Sequence, residues 1–138
     1  MAGVTPNGGT VSTPWELDTP SRQGTFRAWR EPDASPPALV CVVGKTELRY
    51  QLRCIEDVVA MLKEHGDWIP LGSADEQKPV ADGTLEAWAR SPGNPVKGWY
   101  GMKKGLRGLF ANYVPPVLEL LGLAEVEHNA RNNRIRAK

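Results

Sequence analysis

The chain has 138 residues, with 17 Lys and Arg against 16 Asp and Glu, and a net charge of +1. Its 41% hydrophobic and 24% charged content is that of an ordinary globular protein of single-domain length, which argues against wholesale disorder. The near-neutral balance also argues against a polyanion binder that works through whole-chain charge.

No apolar run approaches the ~20 residues that a membrane span needs. The opening MAGVTPNGGTVSTPW lacks the basic start and apolar core of a signal peptide. A cytoplasmic protein without membrane contact is therefore expected. Cys41 and Cys54 fit two buried thiols in a reducing compartment, with a disulfide or redox pair as the other reading.

Residues 1–14 offer almost nothing to bury and read as a disordered tail. TFRAWR, residues 25–30, reads as a strand that the prolines of PDASPP terminate. ALVCVV and TELRYQLR then flank Gly44-Lys45. In the second run Leu48, Tyr50 and Leu52 alternate with Glu47, Arg49, Gln51 and Arg53, as in a hairpin strand. A helix is predicted over 55–65, where Ile55, Val58, Val59 and Leu62 make one apolar stripe. Glu56 and Asp57 favour its first turn, Lys63 and His65 its last, and Gly66 its C-terminal cap. These elements form a lobe over 15–71 in which a small antiparallel sheet is packed by one helix. The polar stretch 72–82 reads as a linker.

TLEAWARS opens the second lobe, 83–138. Asp82 or Thr84 can cap it as a helix with Leu85, Trp88 and Ala89 on one face; a strand would bury Leu85, Ala87 and Ala89 instead. On a helical wheel, residues 98–110 sort into three sectors. Trp99, Met102, Leu106, Leu109 and Phe110 share one, Lys103, Lys104 and Arg107 another with Tyr100, and four glycines the third. That sorting favours a helix over a loop, although each interior glycine weakens a helix by about 1 kcal/mol, so a loop stays open as the other reading. A helix there is either a basic one laid on a nucleic-acid backbone or a tightly packed one whose cations are its solvated face. Prolines 115 and 116 suit a first turn, so a further helix is predicted over 115–121 with Gly122 closing it. In LAEVEHNARNNRIRAK, placing the loop at 129–132 sets Glu127 opposite Arg134, Val126 opposite Ile135 and Glu125 opposite Arg136. Both faces agree on that hairpin register.

In its order, this second lobe resembles the winged-helix arrangement, with LELLGLAEVE…NNRIRA as the passage from last helix into wing. The resemblance implies an α+β protein whose C-terminal half is a helix–helix–hairpin module. The chain as a whole resembles a small bacterial protein of an uncharacterised family. Winged helices that read DNA carry polar and basic residues on the helix before the wing; here that helix is PPVLELLG, which offers no base-reading donors.

Charge is uneven. Residues 97–138 hold eight basic residues and three carboxylates, a local +5 that leaves −4 on residues 1–96. Arg134 and Arg136 are expected to pair within the hairpin. The candidate phosphate contacts are therefore Lys97, Lys103, Lys104, Arg107, Arg131 and Lys138, with duplex DNA as the expected partner. A protein-interaction module or homodimer is the second reading, and a small-ligand binder the third, with its pocket lined by tryptophans.

Catalytic and cofactor motifs are missing from the sequence, so neither an enzyme nor a cofactor or metal is expected. The G-x4-G-K-[ST] spacing of a phosphate-binding loop is absent, and Gly44-Lys45-Thr46 supplies only its ending inside a hairpin turn. His65 and His128 have no metal-spaced neighbours and read as a helix-end cation and a hairpin-mouth residue.

Overall fold

The computed structural model describes residues 7–138. Seven strands and three helices follow in the order β1 (Trp15–Asp18), β2 (Thr25–Glu31), β3 (Ala38–Val43), β4 (Thr46–Gln51), α1 (Cys54–His65), β5 (Ile69–Pro70), α2 (Leu85–Trp88), α3 (Phe110–Leu120), β6 (Ala124–Val126) and β7 (Arg134–Ala137). The protein is α+β. An antiparallel sheet in the order β1-β2-β3-β4 precedes the helices, and a smaller sheet runs β5-β7-β6.

Alternation decides the first sheet. Trp15, Ala28, Cys41 and Leu48 lie in one cross-strand row, and all four are buried. Val43 pairs with Thr46 across the two-residue Gly44-Lys45 turn, as the sequence predicts. β1 was not foreseen: WELD is too short to alternate convincingly, and it is defined by its pairing with β2. Residues 7–14 correct the expectation of a tail. Gly9 is buried, its carbonyl accepts the Arg30 N–H at 3.0 Å, and its backbone lies against the Trp15 ring. The remainder of that predicted tail, residues 1–6, lies outside the described residues.

α1 spans 54–65 and ends at Gly66, whose left-handed conformation (φ 79°) directs its N–H to the Leu62 carbonyl. It packs on α3 and β7. The helix against the first sheet is α3, with Phe26 edge-on to Tyr113 (centroids 5.0 Å) and Tyr50 edge-on to Phe110 (5.5 Å). One core cluster therefore runs from Trp15 through Cys41, Val58 and Leu85 to Ile135.

The C-terminal hairpin has the register read from the sequence. Ala124 pairs with Ala137, Glu125 with Arg136 and Val126 with Ile135. Arg134 grips Glu127 through two bonds of 2.9 and 2.7 Å. β5 adds a third strand on the β7 side.

Two helical expectations are overturned. Residues 98–109 form no helix. The segment runs along the exposed edge of β4, where Gln51 N–H donates to the Tyr100 carbonyl (2.9 Å) and Met102 N–H to the Arg49 carbonyl (2.8 Å). The glycines that weaken a helix here permit close backbone crossings. A Cβ on Gly101 would collide with the Arg107 backbone, and one on Gly108 with the backbone of Asp75 and Glu76.

The second correction concerns α3, which starts at Phe110 rather than Pro115 and carries both prolines inside. The prolines remove two helical hydrogen bonds, yet residues 110, 111 and 113–118 are all buried. Its start is fixed from outside. The Glu86 carboxylate, 1% exposed, accepts the Phe110 N–H at 3.2 Å and the Ala111 N–H at 2.9 Å, two donors the helix cannot satisfy itself. Glu86 sits in α2, the helix alternative for TLEAW, where Thr84 is the cap and accepts the Ala87 N–H. Arg90, one turn on, reaches the same carboxylate at 3.3 Å.

Glu86→Ala should therefore destabilise the fold by about 3–5 kcal/mol, since it removes the counter-charge of the mostly buried Arg90 and leaves two buried backbone donors without an acceptor. Glu86→Gln, which keeps one acceptor oxygen, should cost less. Urea denaturation of both variants reads the difference; an alanine variant as stable as wild type would remove the carboxylate from this role.

Candidate nucleic-acid interface

Lys103 and Lys104 are exposed at the tip of a turn closed by the Leu106 N–H to Lys103 carbonyl bond of 2.8 Å. Arg107, expected beside them, is engaged elsewhere. Its Nε donates to Glu76 Oε1 at 2.8 Å, and the same carboxylate accepts the Arg107 and Gly105 backbone N–H groups at 2.9 and 3.1 Å. These bonds hold the Glu76 carboxyl down to about 2, led by Arg107, against an ordinary 4.5.

Two guanidiniums lie over Trp99, with Arg90 4.3 Å and Arg107 4.6 Å from the ring centroid. Arg90 also donates to the carbonyls of Ala74 and Lys78 at 3.2 and 3.1 Å. The stretch 72–82, read as a linker, is thus tied at 74–78 to α2 and to the 98–109 segment. Nothing local in GSADEQKPVADG marks this, because both anchoring arginines are distant in sequence.

The other candidates are dispersed. Lys97 is exposed in the turn after α2, with a left-handed backbone (φ 61°) and its N–H on the Asn94 carbonyl. Lys138 is exposed at the end of β7. Arg131 is exposed in the loop of the C-terminal hairpin and lines a cleft of about 670 Å³ between that loop, the β1–β2 connection and residues 70–84. Lys103 lines a separate 330 Å³ hollow with Ala34, Ser35, Pro36, Arg49 and Met102. The structure groups Lys103 with Lys104 and places Arg131 on different ground. Arg134 and Arg136 are paired as expected, with Glu127 and Glu125, and both lie over the Trp68 ring at 5.1 and 4.5 Å.

α3, the helix before the C-terminal hairpin, is packed against the first sheet and largely buried, so it presents no accessible face for reading bases. The tryptophans line no shared cavity either: Trp15 and Trp29 are in the sheet, Trp88 stacks on Tyr100 at 5.3 Å, and Trp99 is held by arginines. His128 does more than close the hairpin mouth. Its ring nitrogens lie 2.9 Å from the Pro20 carbonyl and 2.6 Å from Glu119 Oε2, which joins the wing to the β1–β2 connection and to α3.

Both cysteines are free and buried, and burial pushes both thiols up, so neither offers a thiolate. Among the described residues no cluster of three or more His, Cys, Asp or Glu is placed to hold a metal ion. No described helix is long and apolar enough to cross a membrane.

The sequence profile of DUF6855, a family of unknown function, matches residues 7–138, so the chain belongs to that family. No curated protein and no solved structure matches it.

Glu76 gives this region a definite acid response. Its lowered carboxyl contributes stability in full above the unfolded value near 4.5, and that contribution is lost as pH falls toward 2. Glu76→Gln should flatten the dependence of stability on pH between those values, read by denaturant midpoints across the range. A variant with the wild-type slope would contradict the ion pair.

Proposed function

We propose that this member of DUF6855 is a winged-helix-like protein that contacts a nucleic-acid backbone electrostatically and does not read bases. The helix–helix–hairpin order of residues 85–137 supports the winged-helix part, and α1 with β5 extends the unit to helix–strand–helix–helix–hairpin. The observation that carries the reading is where uncompensated charge remains. Lys97, Lys103, Lys104, Arg131 and Lys138 have no carboxylate within ion-pair distance among the described residues, and all five are exposed. Arg107 leaves the set because Glu76 neutralises it.

The absence of base reading follows from α3. A helix that places its side chains in the major groove must be accessible, and this one is core. Its enclosure favours a second reading, a protein-interaction or structural module in which the winged-helix order serves only as scaffold. Val11 and Leu123 are the large hydrophobics that stand exposed among the described residues, which gives a homodimer face little to work with. A reducing, cytoplasmic setting accords with the two free thiols.

Duplex DNA titrated at two salt concentrations separates these readings. With about four cations engaged, log affinity should fall with log salt at a slope of roughly −3.6. Lys103→Gln with Lys104→Gln should weaken binding alike on all sequences and flatten the slope by nearly two units. Unmeasurable affinity at low salt, or a double variant indistinguishable from wild type, would transfer the assignment to the protein-interaction reading.

A further inference from the structure

A cleft of about 670 Å³ lies beside the loop of the C-terminal hairpin. Sixteen residues border it, two of them arginines, and none is Asp or Glu. The guanidinium of Arg134 is already held by Glu127, so Arg131 supplies the cleft's uncompensated charge. The opposing strips of backbone add to it. Ala130, Arg131 and Asn132 on one side, and Gly72 and Ser73 on the other, have N–H groups with no protein acceptor among the described residues. These residues are exposed, and successive N–H groups without a protein acceptor are available to an anion.

The walls are built rather than incidental. Gly72 is left-handed (φ 63°), and a Cβ there would strike the Thr84 side chain, so this strip of chain passes directly over the start of α2. Leu71 N–H donates to the Asn133 carbonyl at 3.0 Å, and the Asn133 side chain closes the wing loop through Asn129 N–H at 2.6 Å and the Asn129 carbonyl at 2.9 Å. His128 holds the third side, through the Pro20 carbonyl. Pro20, Pro70, Pro79 and Leu71 supply apolar surface, and Ser73, Asn112 and Asn132 polar groups. The volume falls inside the ~300–1,000 Å³ range of small-molecule sites.

We propose that this cleft binds a phosphate monoester whose organic part packs on the proline wall, with Arg131 on the phosphate and the 130–132 and 72–73 N–H groups around it. An arginine suits the role because its fork matches phosphate oxygens. The monoester is carried either by a free nucleotide or by the 5′ end of a strand, and the two sources share that chemistry. The site stands apart from the backbone reading above. It needs neither Lys103 nor Lys104, and it survives if duplex DNA is not bound.

Amide NMR titrations of the full chain with four probes test it: adenosine monophosphate, a 5′-phosphorylated dinucleotide, the same dinucleotide without its phosphate, and inorganic phosphate. The phosphorylated probes should shift Ser73, Asn112 and Asn132, with the other two at least tenfold weaker. Adenosine monophosphate binding as tightly as the phosphorylated dinucleotide assigns the site to free nucleotides; tighter dinucleotide binding assigns it to strand ends. Arg131→Gln should weaken both by tenfold or more, and Ser73→Phe, at an exposed position, should fill the cleft and abolish them. Shifts mapping elsewhere, equal binding with and without the terminal phosphate, inorganic phosphate binding as tightly as the nucleotide, or Arg131→Gln behaving as wild type would each overturn the proposal.

Discussion

One buried carboxylate organises the second half of this molecule. Glu86 caps α3 through two backbone N–H groups and holds Arg90. Its own N–H donates to the Leu71 carbonyl at 3.0 Å, which fixes where β5 hands over to the 72–82 stretch. Arg90 then collects carbonyls of 74–78 and lies over Trp99, as does Arg107, and Arg107 is paired with Glu76. The two irregular segments 72–82 and 98–109 thus share one chain of contacts with α2 and α3. Burial alone raises the Glu86 carboxyl, against the pull of its donors. Desolvating such a pair is costly, and apolar replacements of similar shape often match it for stability. What the pair supplies here is direction: it defines the residue at which α3 begins, which no local preference of GLFANYVPP would select.

That dependence explains which parts of the fold were legible. Period-two alternation exposed β2, β3 and β4, and the i, i+3, i+4, i+7 stripe exposed α1, because each buries a face its own sequence makes apolar. The terminal hairpin was readable for the same reason, since its charged and apolar pairs agree on one register. The 98–109 segment misled because a clean helical wheel says nothing about competing partners. Its backbone pairs with the edge of β4, its Tyr100 ring packs against Trp88 and Phe110, and its glycines serve two backbone crossings. Glu86 reads in TLEAWARS as an ordinary surface residue of an amphipathic helix. Its burial depends on α3, more than twenty residues away.

The candidate site was legible by charge and not by place. Arg134 and Arg136 were correctly assigned to the hairpin, because their partners lie in cross-strand register. Arg107 was not, since Glu76 sits in a stretch that reads as linker. The cleft by the C-terminal hairpin is built from the β1–β2 connection, residues 70–84, Asn112 and the hairpin loop, four pieces spread over more than a hundred residues. No spacing rule links them. Arg131 alone of the six candidate cations belongs to it, and it was singled out only as the charge the hairpin left over.

The enclosure of α3 narrows what this architecture can do. A sheet of four strands covers the face a groove-reading helix would present, through Phe26 on Tyr113 and Tyr50 on Phe110. Removing that cover would expose the main core, so access by local opening would cost much of the global stability. The unpaired cations of the second half lie in loops and at the chain's last residue, away from this core. The arginines of the second half that lie against tryptophans are each neutralised by glutamates, so stacking and pairing go together. Lys103, Lys104 and Arg131 have neither kind of partner, and they sit on two separate turns. An unpaired cation contributes nothing to packing. Its free energy is available to whatever anion arrives, and two turns facing different clefts allow two anionic contacts that need not belong to one ligand.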